Sequence, residues 1–153
     1  MTYLFDTDTV ILMMRGMKLI HAKSLSQRQR GRQAAHILSR CREQSKQGHR
    51  LAISAITVAE LEFGAYNSDQ YEVEIRATRL AIAAFDLLDF TAAACCEPYG
   101  RLRHHLTSAG KIIGANDLLI AAHALALDAT VITNNTREFA RVPGLKVENW
   151  SAE

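Results

Sequence analysis

Short apolar runs that stop abruptly at a polar residue recur along this chain, and longer segments of helical character separate them. The first run, residues 3–5, ends at the carboxylate of Asp6, and similar runs occupy residues 51–54 and 130–133. Short runs that are apolar throughout are typical of strands buried on both faces of a sheet. Strands that alternate with helices predict a mainly parallel sheet with right-handed crossovers.

The complete alternation predicts an α/β fold with a twisted sheet of about four to five strands flanked by helices. We expect strands at residues 3–5, 51–54, 86–90, 130–133 and 146–148, and helices at residues 9–14, 25–47, 55–66, 72–85, 91–108 and 116–127. With 153 residues, 48% of them hydrophobic, the chain can bury a core without disulfides or a structural metal. The prediction is therefore a single domain, residues 1–153.

Neither a targeting signal nor a membrane span is visible in the sequence. No basic-then-apolar leader begins the chain, and no apolar run approaches the ~18 residues that suggest a transmembrane helix. The cysteines are odd in number, and the adjacent Cys95 and Cys96 lack the paired spacing of metal ligands. We therefore expect a cytoplasmic protein without membrane attachment, whose thiols stay reduced.

Basic residues are concentrated in one part of the chain. Residues 15–50 hold ten lysines and arginines against the single acid Glu43, a net charge of +9, whereas the rest holds eight against fifteen, a net charge of −7. Within this part, residues 23–48 predict a basic helical segment that ends at Gly48. Such a block indicates an anionic partner, either a nucleic acid or the acidic tail of another protein, unless it is simply a solvated helix.

Three carboxylates fall where the predicted topology would bring them to one edge of the sheet. Asp6 ends the first strand, Glu60 lies in the first turns of the helix after the second, and Asp117 begins the helix before the fourth. In a parallel sheet, the carboxyl ends of the strands and the amino ends of the crossover helices share an edge. Each acid also has a structural explanation. Asp6 and Asp117 could be N-caps, and Glu60 could close a capping box with Thr57.

The positions of two of these acids on their helices favour a functional role. Glu60 lies one turn from Ile56 and from Phe63, so it interrupts the stripe that would face the core. Asp117 heads the apolar stripe that contains Ile120. Acids that meet at a partly buried edge repel one another unless a cation neutralises them. Ligands that are all carboxylates favour Mg²⁺ or Mn²⁺ over zinc, and such a site suits phosphodiester hydrolysis by metal-activated water.

Four stretches of the chain resemble the motifs of PIN-domain ribonucleases, and most closely those of the VapC toxins of bacterial toxin–antitoxin pairs. They are Asp6-Thr7 after the first strand, ISAITVAELEFG at residues 53–64, GANDLLIAAHA at residues 114–124 and VITNNTREF at residues 131–139. The resemblance implies a PIN-like fold over nearly the whole chain and a Mg²⁺- or Mn²⁺-dependent endoribonuclease. Asp6, Glu60 and Asp117 match the family's acidic triad.

The resemblance also implies partners. It implies an RNA substrate, tRNA or another structured RNA, and a VapB-type antitoxin whose tail enters the active-site groove and holds the enzyme inactive. Because family members are usually homodimers, we expect a homodimer here as well.

Two positions depart from the family pattern. Asp8 stands where Asp-Thr-Asn is common in the first motif, so the chain carries an additional carboxylate there. Asn135 stands where many members have a fourth acid. Its amide oxygen can bind a metal ion but adds no negative charge. The sequence is therefore compatible with a site for one metal ion or for two. Thr133 matches a hydroxyl near the family's metal site, or is simply the residue that ends a strand.

Basic side chains supply candidate contacts for RNA or for the antitoxin. Arg103 precedes the loop that leads to Asp117 and could reach an RNA phosphate, or could be an ordinary surface residue at a helix end. Arg28, Arg30 and Arg32 lie in the basic segment and could contact RNA or the antitoxin.

Two other functions fit part of the pattern. An Asp6-x-Asp8 sequence after a strand also opens haloacid dehalogenase-like phosphatases, in which the first aspartate is the nucleophile. The paired acids that such enzymes need after a later strand are missing from residues 133–135. The other alternative is a non-catalytic PIN-like scaffold that binds RNA or a partner through its basic segment.

Overall fold

The computed structural model describes residues 1–151, which form a five-stranded sheet whose strands are all parallel, in the order β3-β2-β1-β4-β5. The strands are β1 Thr2–Phe5, β2 Arg50–Ser54, β3 Asp86–Leu88, β4 Thr130–Ile132 and β5 Lys146–Glu148. The helices are α1 Thr7–Gly16, α2 Leu25–Lys46, α3 Ala55–Tyr66, α4 Tyr71–Ile82, α5 Ala92–Ser108, α6 Ala115–Ala126 and α7 Thr136–Phe139, with a 3₁₀ turn at Met17–Leu19. The predicted α/β fold with a parallel sheet flanked by helices is confirmed.

Helices cover both faces of the sheet, as the uniformly apolar strands require. In β1, Tyr3 and Phe5 face one layer, whose buried residues include Val10 of α1 and Ile37 of α2. Leu4 faces the other layer, which is built mainly from α5 and α6. Successive side chains of a strand point to opposite faces, so a strand between two helical layers needs apolar residues at every position.

The strand order places a topological switch point beside β1. From β1 the chain builds the sheet in one direction through β2 and β3, and then returns to the other side of β1 with β4 and β5. Ligands of open parallel sheets bind outside the carboxyl ends of the strands at such a point. Here it is flanked by Asp6, which follows β1, and by Thr133, which follows β4.

Two glycines allow α2 to lie directly against α1 and the 3₁₀ turn. A Cβ added at Gly16 would stand 2.5 Å from the Cβ of Ala34, and one added at Gly31 would stand 2.6 Å from the backbone nitrogen of Ile20. Both distances are too short for real atoms, so only glycine fits at this spacing. The basic segment is thereby packed onto α1, whose first turn follows Asp6.

Most element boundaries agree with the sequence-based expectation, and the differences have local causes. The first helix begins at Thr7 rather than residue 9, because Asp6 caps it. The helix after β3 begins at Ala92, one residue later than expected, with Thr91 as N-cap, and it contains Pro98. The one-turn helix α7 was not expected.

The predicted basic helical segment, residues 23–48, corresponds to α2, Leu25–Lys46. Within residues 1–151, none of the helices combines the length and the apolarity that crossing a membrane requires. The predicted single-domain boundary at 153 falls on residues outside the described part of the chain.

Candidate active site

Asp6 is held rigidly at the carboxyl end of β1. Its side chain is only 2% exposed. One carboxylate oxygen, Oδ1, accepts the backbone N–H of Thr9 at 2.8 Å and so caps α1, while Oδ2 accepts the hydroxyl of Thr133 at 2.5 Å. Burial raises the pKa of Asp6, and the hydrogen bonds from Thr133 and Thr9 oppose the shift. The N-cap explanation is therefore confirmed for Asp6. Its second carboxylate oxygen is bound by Thr133, which follows β4.

Glu60 projects from the second turn of α3 and is half-buried. Its Oε1 accepts the hydroxyl of Thr7 at 2.5 Å, and the same Thr7 oxygen lies 3.3 Å from the hydroxyl of Thr57. The proposed capping box between Glu60 and Thr57 is wrong, because Ser54 caps α3 and accepts the N–H of Ile56. Glu60 is therefore tied to the residue directly after Asp6 and not to its own helix end.

The expected buried stripe on α3 is also wrong in part. Phe63 is 69% exposed, and the buried residues of this helix are Thr57, Leu61 and Ala65. Glu60 thus lies beside the buried face and borders solvent together with Phe63.

Asp117 lies in the first turn of α6 and is half-buried. It is not the N-cap that sequence reasoning allowed, since Gly114 occupies that position. Its Oδ2 accepts the side-chain amide of Asn135 at 3.4 Å, a contact that joins α6 to the loop after β4. The predicted stripe behind it is confirmed, because Ile120 and its neighbours in α6 are buried.

The electrostatic surroundings of Asp117 show that the acids converge. The pKa of Asp117 is raised to about 7, mainly by burial and then by the negative charges of Asp6, Glu138, Asp8 and Glu60. Among residues 1–151, none of these five carboxylates forms an ion pair with a lysine, arginine or histidine. The site therefore concentrates negative charge that no ion pair within residues 1–151 offsets.

Glu138 is the site residue that the sequence did not reveal. Its Oε2 accepts the backbone N–H of Gly114 at 3.3 Å. A Cβ added at Gly114 would stand 3.7 Å from Asp117 Oδ2 and 3.9 Å from Glu138 Oε2, so the two carboxylates border the same small space. Glu138 lies on α7, and only the unexpected helical turn at Thr136–Phe139 brings it back toward α6.

The loop after β4 is built around Thr133 and Asn135. The hydroxyl of Thr133 donates to Asp6 Oδ2 and accepts the backbone N–H of Asn135 at 2.9 Å. Asn135 in turn reaches Asp117. Thr133 and Asn135 therefore connect Asp6 to Asp117, and both lie beside these acids.

A family profile described as the PIN domain matches residues 24–145 of the chain. Over 151 residues, the chain is 36% identical to Ribonuclease VapC1 of Haemophilus influenzae strain R2866, and the match covers 99% of each chain. The chain belongs to the VapC family of PIN-domain proteins. This membership confirms the resemblance seen in the four motifs and does not favour the haloacid dehalogenase-like alternative.

Other VapC relatives agree with this membership. The tRNA(fMet)-specific endonuclease VapC of Shigella flexneri is 38% identical over 102 residues, which cover 67% of this chain and 76% of that protein. A chain in the crystal structure of VapBC2 from Rickettsia felis, bound to a DNA fragment from their promoter, superposes with a TM-score of 0.80. It is 33% identical, and the superposition covers 98% of this chain and 99% of that one.

A groove runs past the acidic cluster of this VapC-family chain. It has a volume of about 760 Å³ and lies between α1, α3 and the start of α6. Its lining includes Thr7, Asp8, Glu60, Phe63 and Asn116. The groove is open, with acids along one part and the exposed ring of Phe63 along another, so an extended polymer could lie in it.

The predicted basic contact residues differ in whether they line a groove. Arg103 donates to the hydroxyl of Tyr99 at 3.0 Å on α5 and is not among the residues that line the groove. Arg28 and Arg32 lie on α2 outside the groove linings described, whereas Arg30 lines a second groove beside Asp8. Their contacts with RNA or antitoxin stay predictions.

The donor set at the cluster fits Mg²⁺ or Mn²⁺. All the charged donors are carboxylates, and the neutral ones are an amide and hydroxyls, which are the hard ligands that these ions prefer. Across residues 1–151, no group of three or more His, Cys, Asp or Glu side chains is arranged so that it could hold a metal ion by itself. Mg²⁺ is usually bound through one or two carboxylates, with water and substrate phosphate completing its coordination, so an open arrangement of this kind suits it.

Proposed function

We propose that this protein is a divalent-metal-dependent endoribonuclease and the toxin of a toxin–antitoxin pair. One observation carries the proposal. At the switch point of the sheet, burial and the negative charges of four other carboxylates raise the pKa of Asp117, and none of these acids forms an ion pair with a lysine, arginine or histidine of residues 1–151. Such a cluster is stable only if a bound cation or protons offset the repulsion, and membership in the VapC family supports the cation.

Asp6 and Asp117 are the proposed metal ligands, with Glu60 as the third member of the acidic triad. When bound, Mg²⁺ or Mn²⁺ supplies a water activated as nucleophile and stabilises negative charge on the phosphate. Thr133 and the N–H of Thr9 fix both oxygens of Asp6, and Thr7 fixes one oxygen of Glu60. These contacts keep the carboxylates oriented while the scissile phosphate enters.

Glu138 and Asp8 are the proposed additional acids of this chain. Glu138 borders the same space as Asp117 and so compensates for the neutral Asn135, which holds Asp117 through its amide nitrogen. Asp8 is exposed and contributes to the negative potential at Asp117. Whether the cluster holds one metal or two depends on whether Glu138 acts as a ligand.

RNA, with tRNA as the first candidate, is the proposed substrate. The groove of about 760 Å³ leads past Glu60 and presents the exposed ring of Phe63, on which a base could stack. The Shigella flexneri relative is named for cleavage of tRNA(fMet), which supports a structured RNA of this class.

A VapB-type antitoxin and a second copy of the chain are the proposed protein partners. The Rickettsia felis relative was crystallised as a VapBC complex, which supports an antitoxin for this chain. The homodimer and the cytoplasmic location stay predictions from the sequence.

Cleavage of tRNA by the purified, antitoxin-free protein tests the proposal. We expect cleavage in Mg²⁺ or Mn²⁺, none in excess chelator, and none by Asp117→Asn. Asp128→Asn is the matched control, because Asp128 is exposed and has a left-handed backbone that asparagine also adopts. Tight tRNA binding without cleavage in any divalent metal would support the non-catalytic scaffold instead.

A further inference from the structure

A second groove, of about 340 Å³, lies beside the acidic cluster at the junction of α1 and α2. Its polar lining comes from three parts of the chain: Arg15 of α1, Arg30 and Gln33 of α2, and Asn134 of the loop after β4. Asp8 forms its border toward the cluster. The groove thus offers two guanidinium groups and two amides next to a site that is otherwise acidic.

The close packing of α2 on α1 creates this groove. Gly16 is part of its lining, and the space that a Cβ would need at Gly16 is already filled by Ala34 and by the carbonyl oxygen of Arg30. Because the two helices touch here, Arg30 of the basic segment is placed beside Arg15. This part of α2 therefore packs against α1 and lines a groove, whereas a solvated surface helix would do neither.

Both arginines are free to bind an anion. Arg15 and Arg30 are exposed, and neither forms an ion pair with a carboxylate of residues 1–151. A guanidinium binds phosphate oxygens through two parallel N–H donors and loses less hydration than an ammonium does. Gln33 and Asn134 add neutral N–H donors.

The second groove is continuous with the groove at the acidic cluster. Asp8, Ile11 and Arg15 line both, and they follow one face of α1 at intervals of three and four residues. Arg15 is two helical turns beyond Asp8, a separation of about 10 Å along the helix axis. A nucleic-acid strand that passes the carboxylates can therefore reach the arginines within a short run of nucleotides.

We propose that Arg15 and Arg30, assisted by Gln33 and Asn134, form a subsite for an RNA backbone phosphate that flanks the scissile phosphodiester. The inference rests on the proposed ribonuclease function and names how its substrate is held. A polyanion is repelled by five carboxylates, so binding next to them requires cationic groups at a fixed position. Phosphate contacts of this kind fix the register of the strand without reading its sequence.

The affinity of the full-length protein for fluorescein-labelled tRNA(fMet) in excess EDTA, measured by anisotropy, tests the subsite. We expect Arg15→Gln/Arg30→Gln to weaken binding by about tenfold or more, because charge-assisted hydrogen bonds are lost. Affinity falls with salt, so the slope of log affinity against log salt concentration is negative. This slope should become less steep by about 0.7 for each lost contact with single-stranded RNA. Arg42→Gln is the matched control, since Arg42 is an exposed arginine of α2 away from the groove, and should change the affinity less than twofold.

Steady-state cleavage in Mn²⁺ supplies a second readout. Loss of a contact that is made equally in the ground and transition states raises KM without lowering kcat, so the double variant should show a higher KM and a kcat close to that of wild type. Its melting temperature and the rise of that temperature in Mn²⁺ should match wild type, because the acidic cluster is unchanged.

Equal losses of affinity in the double variant and in Arg42→Gln would overturn the subsite in favour of diffuse charge. Unchanged tRNA affinity together with lost antitoxin binding would assign the groove to a protein partner and also overturn it. If wild type cleaves tRNA and the double variant has an unchanged KM, the subsite fails while the ribonuclease stands. If wild type never cleaves but tRNA binding depends on Arg15 and Arg30 as expected, the ribonuclease fails, and with it the place of this phosphate contact beside a scissile phosphodiester.

Discussion

At the scale of single residues, Asp6 combines a structural and a chemical role. Its Oδ1 caps α1, and its Oδ2 is bound by Thr133, so the carboxylate cannot turn away from the neighbouring acids. Glu60 and Asp117 are held by single polar partners, Thr7 and Asn135, and are half-buried. The acids are thus fixed by uncharged donors, which orient a carboxylate without neutralising it.

Replacing Asp117 should stabilise the metal-free protein at alkaline pH. The folded-state pKa of about 7 lies above the value near 4 of an unfolded aspartate, so wild type loses stability as the pH rises from about 4 through 7. Asp117→Asn carries no such penalty. In chelator at pH 8 its melting temperature should exceed that of wild type by about two degrees or more, and the difference should vanish near pH 4.

Thermal melts of wild type, Asp117→Asn and the control Asp128→Asn across this pH range check the prediction. A melting temperature of Asp117→Asn below that of wild type at pH 8 in chelator would mean that the acids do not repel one another in the folded protein.

His123 should stay neutral to a lower pH than an exposed histidine. Its ring is buried, Nδ1 lies 2.9 Å from the hydroxyl of Ser54, and burial lowers its pKa despite the opposing charge of Asp89. The folded state then resists protonation, so this residue's contribution to stability is present above about pH 6.5 and is lost as the pH falls. Titration of the His123 ring signals by NMR checks this. A midpoint at or above about pH 6.5, the ordinary value of histidine, would contradict it.

The sequence identified the residues whose position depends only on the end of a strand or the start of a helix. Asp6, Glu60 and Asp117 are of this kind. Glu138 was missed, because its place depends on a single turn of helix after β4 that has no periodic pattern. Phe63 was wrongly assigned to the core, since one turn of spacing cannot distinguish the buried face of α3 from the groove beside it.

At the scale of elements, the contact between α1 and α2 determines where the basic segment lies. Gly31 faces the backbone of Ile20, at a distance that leaves no room for a side chain. The helical character of α2 could be predicted from its composition, and its end from Gly48. Its packing against α1 could not be predicted, because close approach through glycine depends on both helices at once.

Gly31→Ala should destabilise the protein although alanine favours helices. The added Cβ would stand 2.6 Å and 2.7 Å from backbone atoms of Ile20, and overpacking of this kind costs about 1–3 kcal/mol. In Gly100→Ala, the matched control in α5, the Cβ meets no atom within 4 Å, so stability should rise by about 0.5–1 kcal/mol. Urea unfolding measures both, and equal stabilisation by the two substitutions would show that α2 is not packed on α1 as described.

At the scale of the whole molecule, the strand order brings the site together. β4 pairs with β1, so the loop after β4 delivers Thr133 and Asn135 to Asp6 and Asp117. The strands themselves could be predicted from short apolar runs, and a parallel sheet from their alternation with helices. Their order could not be predicted from composition or periodicity, since no local pattern states which strand lies beside β1.

Binding of Mn²⁺ by isothermal titration calorimetry tests most directly whether the carboxylates around Asp117 form a divalent-metal site. Wild type and Asp128→Asn should bind Mn²⁺ with the same affinity, and that affinity should match the Mn²⁺ concentration that gives half-maximal tRNA cleavage. In Asp117→Asn the affinity should fall by about tenfold or more, as expected when a metal ligand loses its charge. Equal Mn²⁺ affinity in wild type and Asp117→Asn would contradict the account, because the metal would then bind elsewhere.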